Sequence, residues 1–88
     1  MMRLKVEKIG EGLHPSETIV SVKTSSGVER VAVSARSIQN DSIPVGWPLG
    51  SKDQVTLVEL PRETESGAWR VWVPTDQLSE VVEERMRA

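Results

Sequence analysis

The chain has 88 residues, 38% of them hydrophobic and 27% charged, with a formal net charge of -2 and no cysteine. That length fits a single domain spanning 1–88, and the composition is that of a chain able to fold. The lack of cysteine excludes disulfides, thiolate catalysis and cysteine zinc sites. With an N-terminus that alternates charged and apolar residues and no run long enough to span a bilayer, it points to a soluble cytoplasmic protein without membrane association.

Acidic and basic residues are interspersed, so there is no global pull toward nucleic acid or anionic lipid. Phe and Tyr are absent and three tryptophans are the only aromatic residues. Valine, isoleucine and leucine must therefore supply nearly all of the core, and the placement of each indole carries weight.

Leu4, Val6 and Ile9 mark a first strand whose other face carries Arg3, Lys5 and Glu7. Gly10-Glu11-Gly12-Leu13-His14-Pro15 then breaks it. Thr18 to Lys23 and Val28 to Ser34 place Val20 with Val22, and Val31 with Val33, each pair on one face. Joined by Thr24-Ser25-Ser26-Gly27, they predict a hairpin.

From Arg36 to Gly50 the chain is rich in turn formers, and the spacing of Ile43, Val45, Trp47 and Leu49 predicts one short strand with all four on one side. Pro44 and Pro48 confine it to an edge or irregular position. Gln54 to Leu60 and Ala68 to Val73 predict a second hairpin, linked by the loop Pro61-Arg62-Glu63-Thr64-Glu65-Ser66-Gly67, which is longer than a tight turn. After Pro74, Thr75 is placed to cap a C-terminal helix with Leu78, Val81, Val82 and Met86 on one stripe.

These elements predict a mainly β fold: a small antiparallel, SH3-like or partly open barrel, or a bent sheet, of about five to six strands with one C-terminal α-helix. An α+β sheet with one packed helix is the alternative.

In a strand, Trp69, Val71 and Val73 share one face while Ala68, Arg70 and Trp72 share the other. The apolar set is expected inside, with Trp69 in the core. Trp72 and Arg70, joined by Arg62 and Glu63 from the loop and by Trp47 from the Gly- and Pro-flanked segment, are the partner-binding candidates, because indole and guanidinium are favoured at interface hot spots.

His14, with Glu11 and Glu17 each three residues away, has no recognised metal-ligand spacing, so no metal site is assigned. Ser34, Ser37 and Ser42 lack a nucleophile elbow. Glu59, Glu63 and Glu65 read better as surface charges beside Arg62 and Arg70 than as an acid and base pair. Gly10 and Gly12 do not make a phosphate loop, and no cofactor motif occurs.

The expectation is a non-enzymatic interaction module that binds a protein partner or itself. Single-stranded nucleic acid, stacked on Trp72 or Trp47 with help from Arg3, Lys5 and Lys8, is the second reading.

Overall fold

In the computed structural model, which describes residues 1–80, the alternating β-branched segments form nine short strands. They are β1 (Met2–Lys5), β2 (Glu7–Glu11), β3 (Glu17–Thr24), β4 (Gly27–Ser34), β5 (Ser42–Val45), β6 (Gly50–Lys52), β7 (Val55–Glu59), β8 (Arg70–Pro74) and β9 (Leu78–Glu80). The pairing is antiparallel throughout, in three-stranded sheets ordered β5-β1-β9, β2-β3-β4 and β6-β7-β8.

The strands outnumber the sequence expectation because two extended segments are each broken in two and β9 forms after Thr75. Only Val6 separates β1 from β2, and its N–H turns away to the carbonyl of Asp41 at 2.9 Å, which lets one run of chain serve two sheets. The Thr24 to Gly27 hairpin forms as the sequence predicts, with β3 and β4 paired from Glu17↔Ser34 to Thr24↔Gly27. Between Gln39 and Ser42, which exchange two backbone hydrogen bonds of 3.0 Å, Asn40 and Asp41 both take positive φ. That is the mirror-image turn favoured by strand twist.

One aliphatic cluster joins the three sheets: Leu4, Val6, Val20, Val22, Val31, Val33, Ile43, Val58, Leu60, Val71 and Val73 are all buried. No tryptophan belongs to it. Ile9, read as a possible core position, is exposed. The β2–β3 register shifts between Lys8 and Gly10, and this irregularity at Ile9 breaks the alternation that would have turned it inward.

Arg3, expected on the solvent face, is instead 8% exposed. Its Nε donates to Ser42 Oγ at 2.8 Å, and its Nη2 donates to the carbonyls of Ser37 at 2.7 Å and Ser42 at 2.8 Å. Lys5, of the same parity on β1, is exposed, so Arg3 is covered by its own contacts with the 37–42 segment. The guanidinium uses its fixed fork of donors to tie the 37–42 segment to β1, and no carboxylate among the described residues bridges it.

The expected C-terminal helix does not begin at Thr75. Thr75–Gln77 is a single 3-10 turn, and Leu78–Glu80 is extended as β9, paired with β1 through Leu4↔Leu78, Arg3↔Ser79 and Met2↔Glu80. The Thr75 hydroxyl, expected as a helix cap, is hydrogen-bonded to Thr56 Oγ1 at 2.7 Å, and the Thr75 N–H donates to the carbonyl of Gln54. Pairing with the second edge of β1 outweighs the helical pattern of Leu78. The remainder of that pattern, at Val81, Val82 and Met86, lies outside the described residues. Among the described residues no helix is long and apolar enough to cross a membrane.

Replacing Arg3 by Met should cost about 1–3 kcal/mol, because the part-buried Ser37 carbonyl and Ser42 hydroxyl lose their donor, whereas the Ser42 carbonyl keeps the Gln39 N–H. The same change at exposed Lys5 should cost less than about 0.5 kcal/mol. Urea unfolding midpoints of the two variants check this, and equal midpoints would contradict the clamp.

Candidate functional site

The site follows from the parity of β7 and β8. Their register is Thr56↔Val73, Leu57↔Trp72, Val58↔Val71 and Glu59↔Arg70, with Val55↔Pro74 at the end. Thr56, Val58, Val71 and Val73 are buried, so Val55, Leu57, Glu59, Arg70, Trp72 and Pro74 share the outer face. β6 adds Gly50 beside Leu57 and Lys52 beside Val55. Pro74 sits at an outward-facing position of an edge strand, where the missing N–H breaks no ladder bond.

Trp72 paves this face. Its indole reaches across β7 until Cη2 lies 4.0 Å from where a Cβ on Gly50 would stand. The indole is 36% exposed, and Leu57, the strand position between Gly50 and Trp72, is half-buried. A side chain larger than alanine at Gly50 would meet the ring. Gly46 has the matching relation to the next row, since a Cβ there would stand 3.6 Å from Glu59 Cβ.

Trp47 and Leu49, predicted to lie on one side with Ile43 and Val45, are exposed, whereas Ile43 is buried and Val45 half-buried. The cause is a bulge. Gly46 N–H donates to the Glu59 carbonyl at 3.1 Å and Leu49 N–H to the Leu57 carbonyl at 2.8 Å, so the chain advances three residues while β7 advances two. The extra residue breaks the alternation after Val45, and Trp47 ends up 61% exposed.

Trp69, expected in the core, is 49% exposed. Its parity matches Val71 and Val73, but β8 begins one residue later, at Arg70. Trp69 lies at the end of the ladder, its carbonyl accepting from Leu60 N–H at 2.8 Å, and the core there is closed by Leu60, Thr64 and Ala68. All three indoles are thus on the surface.

Arg70 stands beside Trp72 as the sequence implies. Although Arg70 and Glu59 are cross-strand partners, they form no ion pair, and neither side chain has a hydrogen bond among the described residues. Arg62 and Glu63 do not join them. Arg62 Nη1 donates to Glu17 Oε2 at 3.0 Å on β3.

The loop carrying Arg62 and Glu63 is ordered by its own bonds. Buried Thr64 accepts from Ala68 N–H through Oγ1 at 3.0 Å and donates its N–H to the Ala68 carbonyl at 2.9 Å. Gly67, at φ +93, supplies the turn that brings Ala68 back. Glu65 N–H donates to the Arg30 carbonyl at 2.8 Å, and Ser66 Oγ donates to Glu29 Oε1. The loop therefore covers part of the outer edge of β4, which would otherwise present unpaired strand groups.

Sequence reasoning missed Leu57, Gly50, Glu59 and Lys52. Their common face was already implied by counting outward from Trp72 along a two-strand register; the missing information was the register itself.

Two polar grooves lie elsewhere. One, of about 490 Å³, is lined by Lys5, Lys8 and Lys23 together with Glu7 and Asp41. The other, of about 350 Å³, holds Arg3, Asn40 and Asp76. Neither is lined by a tryptophan. His14 is exposed, and among the described residues no three His, Asp or Glu side chains converge as metal ligands.

Because every indole reaches the surface, iodide should quench most of the tryptophan emission of the folded protein, to within about twofold of the quenching constant in urea. A folded-state fraction resistant to quenching would place an indole inside and contradict this arrangement. Comparison with protein-family models, curated proteins and solved structures gives no match to this chain.

Proposed function

We propose that the chain is a non-enzymatic interaction module that docks a protein on the outer face of β6, β7 and β8. The observation that carries the reading is the Trp72 plate. It is an indole laid across a sheet over half-buried Leu57 with unpaired Arg70 beside it, and the segment leading into β6 carries exposed Trp47 and Leu49. Single exposed apolar residues need no explanation, but an indole laid over the apolar outer positions of two paired strands and edged by free charge has the composition of an interface centre.

Rigidity supports the same reading. The side chains stand on hydrogen-bonded strands, so little ordering entropy would be lost on docking. The finer architecture we assign is a partly open SH3-like barrel. Three observations support it: the β6-β7-β8 meander, the 3-10 turn after it, and the return of β9 onto β1. A cytoplasmic setting fits the cysteine-free composition.

Single-stranded nucleic acid is the weaker fit, since stacking rings and a cationic track must share one path. Here the three-lysine groove and the indoles are separate.

Arg70→Ala and Trp47→Ala remove side chains that do little inside the fold, so the thermal midpoint should move by less than about 3 °C for each. Trp72→Ala should lower it further, because it uncovers Leu57. With the immobilised chain, each of the three variants should retain less than about a third of the protein that wild type captures, consistent with the loss of ~1 kcal/mol or more at a hot spot. Undiminished capture by all three variants would reject this face as the docking surface. Capture that is instead lost steeply with rising salt, and replaced by binding of a single-stranded oligonucleotide, would favour the nucleic-acid reading.

A further inference from the structure

We infer that the partner of this face is a second copy of the same chain, seated face to face about a two-fold axis that runs along the strands between β7 and β8. The inference rests on reading the face as a protein-docking surface and goes further by naming the occupant.

The warrant is a self-complementarity visible in the register. The outer face carries three cross-strand pairs: Glu59 with Arg70, Leu57 with Trp72, and Val55 with Pro74. In each pair the β7 member is chemically fitted to the β8 member: acid to base, leucine to indole, valine to proline. A two-fold axis between β7 and β8 superposes each β8 position on the β7 position of the other copy. It therefore sets Arg70 against Glu59 twice over, as an isologous contact requires, and brings together the two Trp72 plates, each laid over its own Leu57. Any face would meet itself under such an axis, but one carrying like charges across its strands would be repelled. This one brings opposite charges together.

The charge pair supplies the second observation. Arg70 and Glu59 are neighbours on adjacent strands, where opposite charges ordinarily interact, yet no ion pair joins them and neither side chain is hydrogen-bonded within the described residues. Each is left available to the other copy. The neighbouring glycines keep the approach open, since Gly46 and Gly50 place no side chain on the β6 flank of the face. Packing of two outer faces at the usual ~10 Å sheet separation leaves room for one interdigitated layer of these side chains.

Six strand positions per copy make a contact smaller than the ~800 Å² per partner of a standard stable interface. The dimer is accordingly weak and concentration-dependent, with half-association at roughly 0.1–1 mM.

Sedimentation velocity from about 10 µM to about 2 mM tests it. Wild type should move from the monomer toward twice the monomer mass across that range. Arg70→Glu and Glu59→Arg each place like charges in apposition and should remain monomeric throughout, with thermal midpoints showing that both are folded. Mixed in equal amounts, the two variants should recover a dimer, because the all-acidic pair of one chain meets the all-basic pair of the other.

An intramolecular role for either residue predicts no such recovery. The double variant carrying both changes should associate like wild type, which keeps the inference testable even if one single variant fails to fold. A wild type that stays monomeric across the range overturns the inference while leaving capture of a different protein by the Trp72 face intact. A dimer that ignores both charge reversals overturns it as well, by placing the contact elsewhere.

Discussion

The inward placement of Val71 and Val73 on β8 is the constraint from which the functional surface follows. Both valines enter a core built from small aliphatic side chains, and strand alternation then leaves no choice for Arg70 and Trp72, which must stand outside. A shift of register by one residue would bury a guanidinium among valines and expose Val71 and Val73, at a cost no surface contact would offset. The same alternation on β7 sends Val58 inward and Leu57 outward, so the leucine is found under the indole. The apolar outer face is thus a by-product of how the core is satisfied.

Core volume explains why none of the three indoles is inside. The interior is a layer of valines with Leu4, Ile43 and Leu60 among them, and close packing of such residues leaves no space the size of an indole. Arg3 enters the protein by a different route. It does not fill apolar volume but supplies donors to Ser37 and Ser42, giving the turn-rich segment after β4 a fixed attachment to β1. The segment so held leads into β5, the Trp47 bulge and β6. The polar clamp on one sheet therefore helps set the flank of the surface on another.

The short-range pattern of the fold was legible in the residues, whereas its interruptions were not. Val20 with Val22 and Val31 with Val33 announce their hairpin because each pair is separated by one residue and the turn between is short. Val71, Val73 and Trp72 declare their sides for the same reason. Trp69 misled because parity is informative only while the ladder continues, and it lies at the last bond with Leu60. Trp47 and Leu49 misled because the chain bulges between Gly46 and Leu49, and alternation is not informative through an irregular stretch. Leu78 misled because a helical stripe and a short closing strand both accept an apolar residue there, and only the free edge of β1 decides between them. Of the candidate site, Arg70, Trp72 and Trp47 could be picked from residue type, but Leu57, Glu59 and Gly50 become members only once the register is known. The pairing of Arg62 with Glu17 could not be read, because the two are distant in sequence.

The exposed face also has to be reconciled with keeping the chain from open-ended association. Unpaired strand edges are the usual hazard, and here several are occupied. The Thr64 loop lies on β4 through Arg30, the Ser25 N–H donates to the Trp72 carbonyl on the outer edge of β8, and Pro74 removes a donor from that same edge. Edge-to-edge growth is thereby discouraged at both of these strands. Contact through a face differs from contact through an edge, because a two-fold face contact is closed once two copies have met, whereas successive edges can add without limit. An apolar plate on the face of β6, β7 and β8, combined with guarded edges on β4 and β8, therefore directs association toward a finite complex.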